Sequence, residues 1–346
     1  MADPHWTQWH SRFHGALRAK QWLPRRSGVA IACSGGQDSL LLAQLITDLQ
    51  PKWDWHLHLI HCDHQWRQDS QANAKFVMDW ADARQLPATL CTLDRNDTSP
   101  KLPKTEASAR QWRYEQLQTI AQQQNCDYLV TGHTATDRAE TLLFNLLRGS
   151  GSKGLGSLTP QRTLPNGVCL TRPLLDWTRA ETGAGCHALQ LTPWEDSTNT
   201  DLHYSRNRLR HQIFPLLNQH FNPRSETVLA RTADILQAES DYLDRQATDL
   251  LTQAALDDRH PPLQLNRTLL AQQPLALQRR SLYLWLNQHC DRALNFVAIE
   301  QVIPLLTGPN RSQTSPFPGG GLVRVQHNTL RWVFPQVAPP KPGNHP

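Results

Sequence analysis

The chain has 346 residues, of which 39% are hydrophobic and 19% charged, so wholesale disorder is excluded and two domains are the starting expectation. A net charge of +5 permits an RNA partner without arguing for one. Residues 1–10 lack a basic segment followed by an apolar run, the most apolar early stretch (Leu40 to Ile46) is too short to span a bilayer, and the seven cysteines include no Cys-x-x-Cys pair; these features argue for a cytoplasmic protein without a membrane partner, a disulfide framework or a cysteine zinc site.

In chain order, Val29 to Cys33 reads as a strand and Ser39 to Leu49 as a helix. Trp55 to Cys62 reads as a strand, Gln71 to Arg84 as a helix and Ala88 to Leu93 as a strand. Glu106 to Gln124 is a long helix, Tyr128 to Thr131 a strand, and Ala139 to Leu147 a helix. Strands alternating with helices predict an α/β fold with a parallel sheet. The Gly/Ser-rich stretch Arg148 to Thr159 reads as a loop. Beyond Trp194 the pairs Val228/Leu229, Ile235/Leu236, Tyr242/Leu243 and Leu250/Leu251 recur about every seven residues. That spacing predicts a helix packed on a core, with a coiled-coil homodimer seam as the alternative. Helices follow at Pro274 to Gln288 and Phe296 to Leu306, then a turn at Pro316 to Gly321 and a hairpin of Leu322 to Val325 with Thr329 to Phe334. The domain boundaries expected are 1–215 for a nucleotide-binding catalytic domain and 216–335 for a smaller, mostly helical substrate domain. Residues 336–346 read as a disordered tail.

Ser34-Gly35-Gly36-Gln37-Asp38-Ser39 joins a predicted strand to a predicted helix. Glycines let a backbone approach an anion, and free N–H groups at a helix start attract phosphate. Ser34 and Ser39 can add hydroxyl donors, and Asp38 can hold Mg2+. The segment is neither a Walker A loop nor a dinucleotide fingerprint. It resembles the SGGxDS loop of the PP-loop ATP pyrophosphatases, which implies cleavage of ATP between its α and β phosphates.

Further segments resemble the tRNA(Ile)-lysidine synthetase family. They are His61-Cys62-Asp63-His64-Gln65-Trp66-Arg67; Glu106, Arg110, Arg113 and Tyr114; and Thr131-Gly132-His133 through Asp137, Glu140 and Thr141, with Arg148-Gly149-Ser150-Gly151. Arg172-Pro173-Leu174-Leu175, Glu195-Asp196-Ser197-Thr198-Asn199 and Arg206-Asn207-Arg208-Leu209-Arg210 complete the set, and the likeness runs from about Val29 to Pro215. The resemblance implies ATP-dependent joining of free L-lysine to the wobble cytidine of an isoleucine tRNA with a CAU anticodon, through an adenylated base. Two alternatives stay open: a tRNA thiolase of the same loop class, and a non-catalytic tRNA-binding homologue.

The residues expected to bind ATP are Ser34 to Ser39, His61, Arg110 and Gly132. His133, Asp38, Asp137 and Glu140 are expected to be catalytic, with the carboxylates taking Mg2+ or the ammonium of lysine. Arg113, Arg206, Arg208 and Arg210 are expected to meet tRNA phosphates; Arg224, Arg231, Arg279 and Arg280 extend that basic set. His61 and His64 do not share a helical face and read as nucleotide-contacting or packing residues rather than metal ligands. One departure stands out. The family's His-x-Ala-Asp-Asp pattern here reads His133-Thr134-Ala135-Thr136-Asp137. Thr136 is expected to cap or line the turn, with Asp137 and Glu140 supplying the charge, so that Thr136→Asp would be tolerated.

Overall fold

A computed structural model describes residues 6–66, 68–94, 105–195, 202–203, 205–290, 292 and 294–334. Arg67, Asp196 to Asn199 and the tail 336–346 lie outside the described residues. The chain divides into two compact units, Met1–Gln237 and Ala238–Pro346.

The first unit begins with helix α1 (Gln8–Lys20), absent from the sequence reading, and continues through strand β1 (Gly28–Ala32), α2 (Gln37–Trp53), β2 (His56–Asp63), α3 (Ser70–Asp82), β3 (Ala88–Thr92), α4 (Glu106–Gln123), β4 (Tyr128–Thr131) and α5 (Ala135–Leu147). A four-residue helix α6 (Ser152–Leu155) then interrupts the stretch expected to be loop throughout. It starts at Gly151, and Asn145 Nδ2 donates to the Gly154 carbonyl at 2.7 Å, so a single turn is held by the end of α5. Strands β5 (Gln161–Thr163) and β6 (Cys169–Thr171) follow, then α7 (Arg179–Ala188), α8 (Ser205–Arg208), a π-helical turn over Leu209–Ile213, and α9 (Phe214–His220). Helix α10 (Ser225–Ala254) contains the division between the units.

The sheet order is β3-β2-β1-β4-β6-β5, parallel except that the short, polar edge strand β5 runs antiparallel to β6. β1 is a continuous apolar run buried against helices on both faces, as a central parallel strand requires. Leu41, Leu45 and Ile46 of α2 join Ile31, Leu57 and Leu59 in one core, whereas Leu117 and Ile120 of α4 cover Ala30, Ile60 and Leu129 from the other side. The chain order reverses between β1 and β4, so the loops leaving their carboxyl ends diverge and open a crevice, the usual ligand position in such sheets.

In the second unit β7 (Gln264–Asn266), α11 (Arg267–Ala271), α12 (Leu275–Asn287), α13 (Phe296–Glu300), a 3-10 turn over Ile303–Leu306, β8 (Leu322–Gln326) and β9 (Thr329–Val333) follow the end of α10. The expected hairpin is present as β8–β9, and β7 extends it into a sheet of order β7-β9-β8. The helix expected over Phe296 to Leu306 stops at Glu300, and Pro304 sits at the start of the 3-10 turn that replaces it. Leu282, Trp285 and Leu286 of α12 pack on Leu265, Val323 and Leu330. The seven-residue apolar repeat is core in part: Leu250 and Leu251 are buried and Leu229 packs on a core cluster, whereas Val228, Ile235 and Tyr242 are exposed, and Ala230, Ala233, Ser240 and Ala247 fill buried positions along the rest of α10. Small side chains there permit close helix approach, which a count of large apolar residues overlooks.

Candidate active site

The loop after β1 has the form that a phosphate site needs, and its own residues create that form. Gly35 has φ +83°, and a side chain there would meet Asn73 Oδ1 at 2.6 Å, so only glycine fits. Ser39 Oγ donates to the Gly36 carbonyl at 3.0 Å and accepts the Ser34 N–H at 3.1 Å. Its one proton being used, the Ser34 hydroxyl donates to it at 3.0 Å. Both hydroxyls therefore shape the loop. Gly36 precedes the first turn of α2 and brings no side-chain cap, which leaves the helix's leading N–H groups for an anion. Gly132, after β4, touches the same helix start: a Cβ there would lie 2.8 Å from Ser39 N and 2.9 Å from Asp38 O.

Asp38 is held from α7. Its Oδ2 accepts Arg179 Nη1 at 2.8 Å, and its Oδ1 accepts the Thr182 hydroxyl. Gln37 Nε2 donates to the Arg179 carbonyl at 2.7 Å and to Thr182 Oγ1 at 2.8 Å, so the variable residue of the loop fixes the loop to α7. Burial pushes the Asp38 carboxyl above its ordinary value, Arg179 opposes that, and the negative charge of Asp137 adds to it. Asp38 and Asp137 thus sense each other, although they come from different strand ends.

At the second strand end, Thr134 caps α5. Asp137 Oδ2 accepts the Thr134 N–H at 2.8 Å and its hydroxyl at 2.9 Å, completing a capping box. The other oxygen, Oδ1, faces Arg210 Nη2 at 3.6 Å. One turn on, the Glu140 side chain is only 2% exposed and accepts Arg210 Nε at 2.7 Å. Burial raises its carboxyl to about 7, against the pull of Arg210. His133 is brought down to about 3, first by burial and then by Arg172, Arg110 and Arg113, while Asp137 opposes. It is a neutral imidazole at physiological pH, with Nδ1 2.8 Å from Thr131 Oγ1.

His133 and Asp137 form one wall of a cavity of about 720 Å³ whose other walls are α4, the β5–β6 hairpin and the start of α8. Arg110, Arg162, Arg172 and Arg206 all line it. Arg110 and Arg162 lie over the Tyr114 ring at 5.1 and 5.6 Å from its centroid. Burial raises the Tyr114 phenol, but Arg110, Arg172 and Arg113 together bring it below its ordinary value. Such a concentration of guanidinium groups accepts an anionic ligand.

Residues 10–217 match the PP-loop domain family and residues 265–331 the TilS substrate binding domain. The tRNA(Ile)-lysidine synthase of Nostoc sp. is 47% identical over 340 residues, covering 95% of this chain and 97% of that one. The tRNA(Ile)-lysidine synthase of Thermosynechococcus vestitus is 46% identical, covering 97% and 94%. This chain belongs to the tRNA(Ile)-lysidine synthase family. The U34-tRNA thiolase NcsA from Methanococcus maripaludis superposes with a TM-score of 0.56 at 18% identity, covering 66% of this chain and 79% of that one, which marks a shared fold.

Within the synthase frame, the motif residues separate by face. Arg206 lines the cavity, Arg208 is exposed with Nη2 3.2 Å from Ser205 Oγ, and Arg210 turns inward to the carboxylates. Arg110 reaches the cavity, whereas Arg113, one turn on, does not line it, and burial lowers its ordinary pKa. His61 is buried, with Nδ1 2.8 Å from the Cys33 carbonyl, and supports the end of β1. The Glu106 side chain lies outside the described residues. Arg279 and Arg280 are paired with Glu300 and Asp244. Thr136 does not cap the helix. It is 3% exposed, its hydroxyl donates to Glu226 of α10 and accepts the Arg179 N–H at 3.1 Å. A carboxylate at 136 would face the Glu226 carboxylate, which sets a contrary expectation for Thr136→Asp. Arg162, Arg179, Thr182 and Glu226 escaped sequence reasoning. Arg162 sits on a three-residue strand and α7 carries two glycines, so neither element announced itself.

Cys62 and Cys91 are register partners across β2 and β3 and interact. All seven cysteines are free thiols, and no group of three metal-ligating side chains converges among the described residues. Among those residues no helix is long and apolar enough to cross a membrane.

Proposed function

We propose that this chain adenylates the wobble cytidine of an isoleucine tRNA with a CAU anticodon and then joins free L-lysine to its C2 position, releasing pyrophosphate and AMP. The observation that carries the reading is the crevice between β1 and β4. Its two loops bring Asp38, Asp137 and Glu140 into one interacting group beside an arginine-lined cavity. ATP lies over residues 34–39, with its phosphates against the leading N–H groups of α2. The donor chemistry of Asp38 suits an ATP-bound magnesium ion, which needs one or two carboxylates beside phosphate oxygens rather than a closed protein cage. Bound there, the ion would neutralise phosphate charge. The arginine cavity receives the target nucleotide and its flanking phosphates, with the base splayed out of its stack.

The cytidine O2 attacks the α-phosphorus and pyrophosphate leaves. The lysine Nε then attacks C2, and AMP departs carrying the former base oxygen. A lysine amine must lose a proton to act as a nucleophile. Glu140, with its carboxyl near 7, suits that task better than His133, whose imidazole is too weak a base at about 3. Arg210 already shows that Asp137 and Glu140 accept a cation, which supports their use for the lysine ammonium. Incubating the protein with total tRNA, ATP and labelled lysine, followed by nucleoside mass spectrometry, tests the proposal; AMP formation without lysidine would refute it.

A further inference from the structure

The carboxylate that the proposed chemistry assigns to the metal has no oxygen without a protein donor. Asp38 Oδ2 holds the Arg179 guanidinium at 2.8 Å and Oδ1 holds Thr182. Each oxygen keeps a second lone pair, but a cation brought to Asp38 is repelled by the guanidinium 2.8 Å from Oδ2 and competes with it for the same negative charge. Thr182 is fully buried and also bonded to Gln37 at 2.8 Å, so it cannot withdraw. The Arg179 side chain is 35% exposed against 13% for Asp38, and can leave. Its backbone stays in place. The Arg179 N–H is bonded to Thr136 Oγ1 at 3.1 Å, and its carbonyl accepts Gln37 Nε2 at 2.7 Å. A guanidinium released from Asp38 therefore remains tethered at the mouth of the 34–39 loop, where phosphates are expected.

We propose that Arg179 competes with a divalent cation for Asp38 and, once displaced by it, becomes a phosphate-binding group for ATP. The inference rests on the reading of Asp38 as the carboxylate that serves the ATP-bound ion. The exchange links two events. A metal without nucleotide meets an occupied carboxylate and gains little by expelling a cation into water. A metal arriving on ATP brings the phosphates that take the expelled guanidinium, so the charge is compensated. The device favours the metal–nucleotide complex over either component alone.

The test measures Mn2+ binding to the full-length protein by electron paramagnetic resonance, without and with α,β-methylene ATP. Removing the competitor in Arg179→Gln should tighten Mn2+ binding without nucleotide by about tenfold and reduce by a similar factor the extent to which the nucleotide tightens it, as expected for loss of one charged contact. Adding Asp38→Asn to Arg179→Gln should abolish the tightened Mn2+ site. Arg179→Lys keeps the charge and should retain most of the coupling between nucleotide and Mn2+; it decides the matter if Arg179→Gln does not fold. Unchanged Mn2+ affinity in a folded Arg179→Gln protein, or loss of the coupling in Arg179→Lys, would overturn the exchange. A separate result, Mn2+–ATP binding in Asp38→Asn equal to wild type, would instead refute the assignment of Asp38.

Discussion

Thr136→Asp tests whether a hydroxyl, rather than a charge, is what this chain needs at the start of α5. The wild-type hydroxyl joins α5 to Glu226 and to the first residue of α7. Aspartate could still accept the Arg179 N–H, but it cannot donate to Glu226, and its carboxylate would face another. Two unit charges about 4 Å apart repel by about 4 kcal/mol at an effective dielectric of about 20 and by about 1 kcal/mol in bulk water. Position 136 is buried and Glu226 partly exposed, which places the repulsion between those limits. The helix start returns about 0.3–1 kcal/mol to the new acid, and losing the hydrogen bond costs about 1 kcal/mol. The sum is a destabilisation of about 2–3 kcal/mol at pH 8. Its pH dependence has a fixed sign. Mutual repulsion raises one folded-state carboxyl above its unfolded value, so the native state takes up protons more readily, and the penalty shrinks as pH falls through the carboxyl range. Because Arg179 and the Asp38 contact are tied to the same hydroxyl, lysine incorporation should fall about tenfold or more as the loops shift. Urea unfolding at pH 8 and pH 5, with Glu226→Gln as the rescuing partner in a double-mutant cycle, measures each part. A Thr136→Asp protein with wild-type stability and lysine transfer would refute this account and reinstate the view that the position tolerates either residue.

Asp38→Asn should abolish AMP formation while tRNA binding persists, measured by single-turnover assays and filter binding; near-normal turnover would reduce Asp38 to a helix-start residue. Charge reversal of Arg206 and Arg208 should weaken tRNA binding and flatten its salt dependence, and an unchanged slope would show that neither meets phosphate. Arg210→Ala should act differently, lowering stability by about 3 kcal/mol because it strips Glu140 of its buried partner; denaturant titration reads this. Glu140, with a carboxyl at about 7, should give lysine transfer an inflection near neutrality that disappears in Glu140→Gln. The same group lowers stability as pH rises from the ordinary carboxyl range towards 7, because the folded state binds the proton that the unfolded state has released. Gly132→Ala should lose ATP binding with little change in tRNA affinity, since its Cβ would meet the backbone of Asp38 and Ser39.

The alternation of apolar strands and amphipathic helices up to Leu147 determined the parallel sheet, because buried strands and one-sided helices impose distinct periods that need no partner to be recognised. The loop 34–39, the strand end at 131–133 and the arginine-bearing α4 were legible for a similar reason: glycine at a strand-to-helix turn and charge at a helix start have local causes. Short elements were not legible. β5, β6 and α6 are three or four residues long and owe their form to neighbours already in place. The sense of each arginine was not legible either. Arg206, Arg208 and Arg210 are one basic run in sequence, yet one lines the cavity, one faces water and one holds two carboxylates, because successive helical side chains point in different directions and Arg210 already lies in the π-helical turn that follows α8. Thr136 shows the same limit most plainly. In sequence it is a missing acid beside Asp137. Its meaning comes from Glu226, ninety residues away, and from the backbone of Arg179, and only folding brings those groups within reach of one hydroxyl.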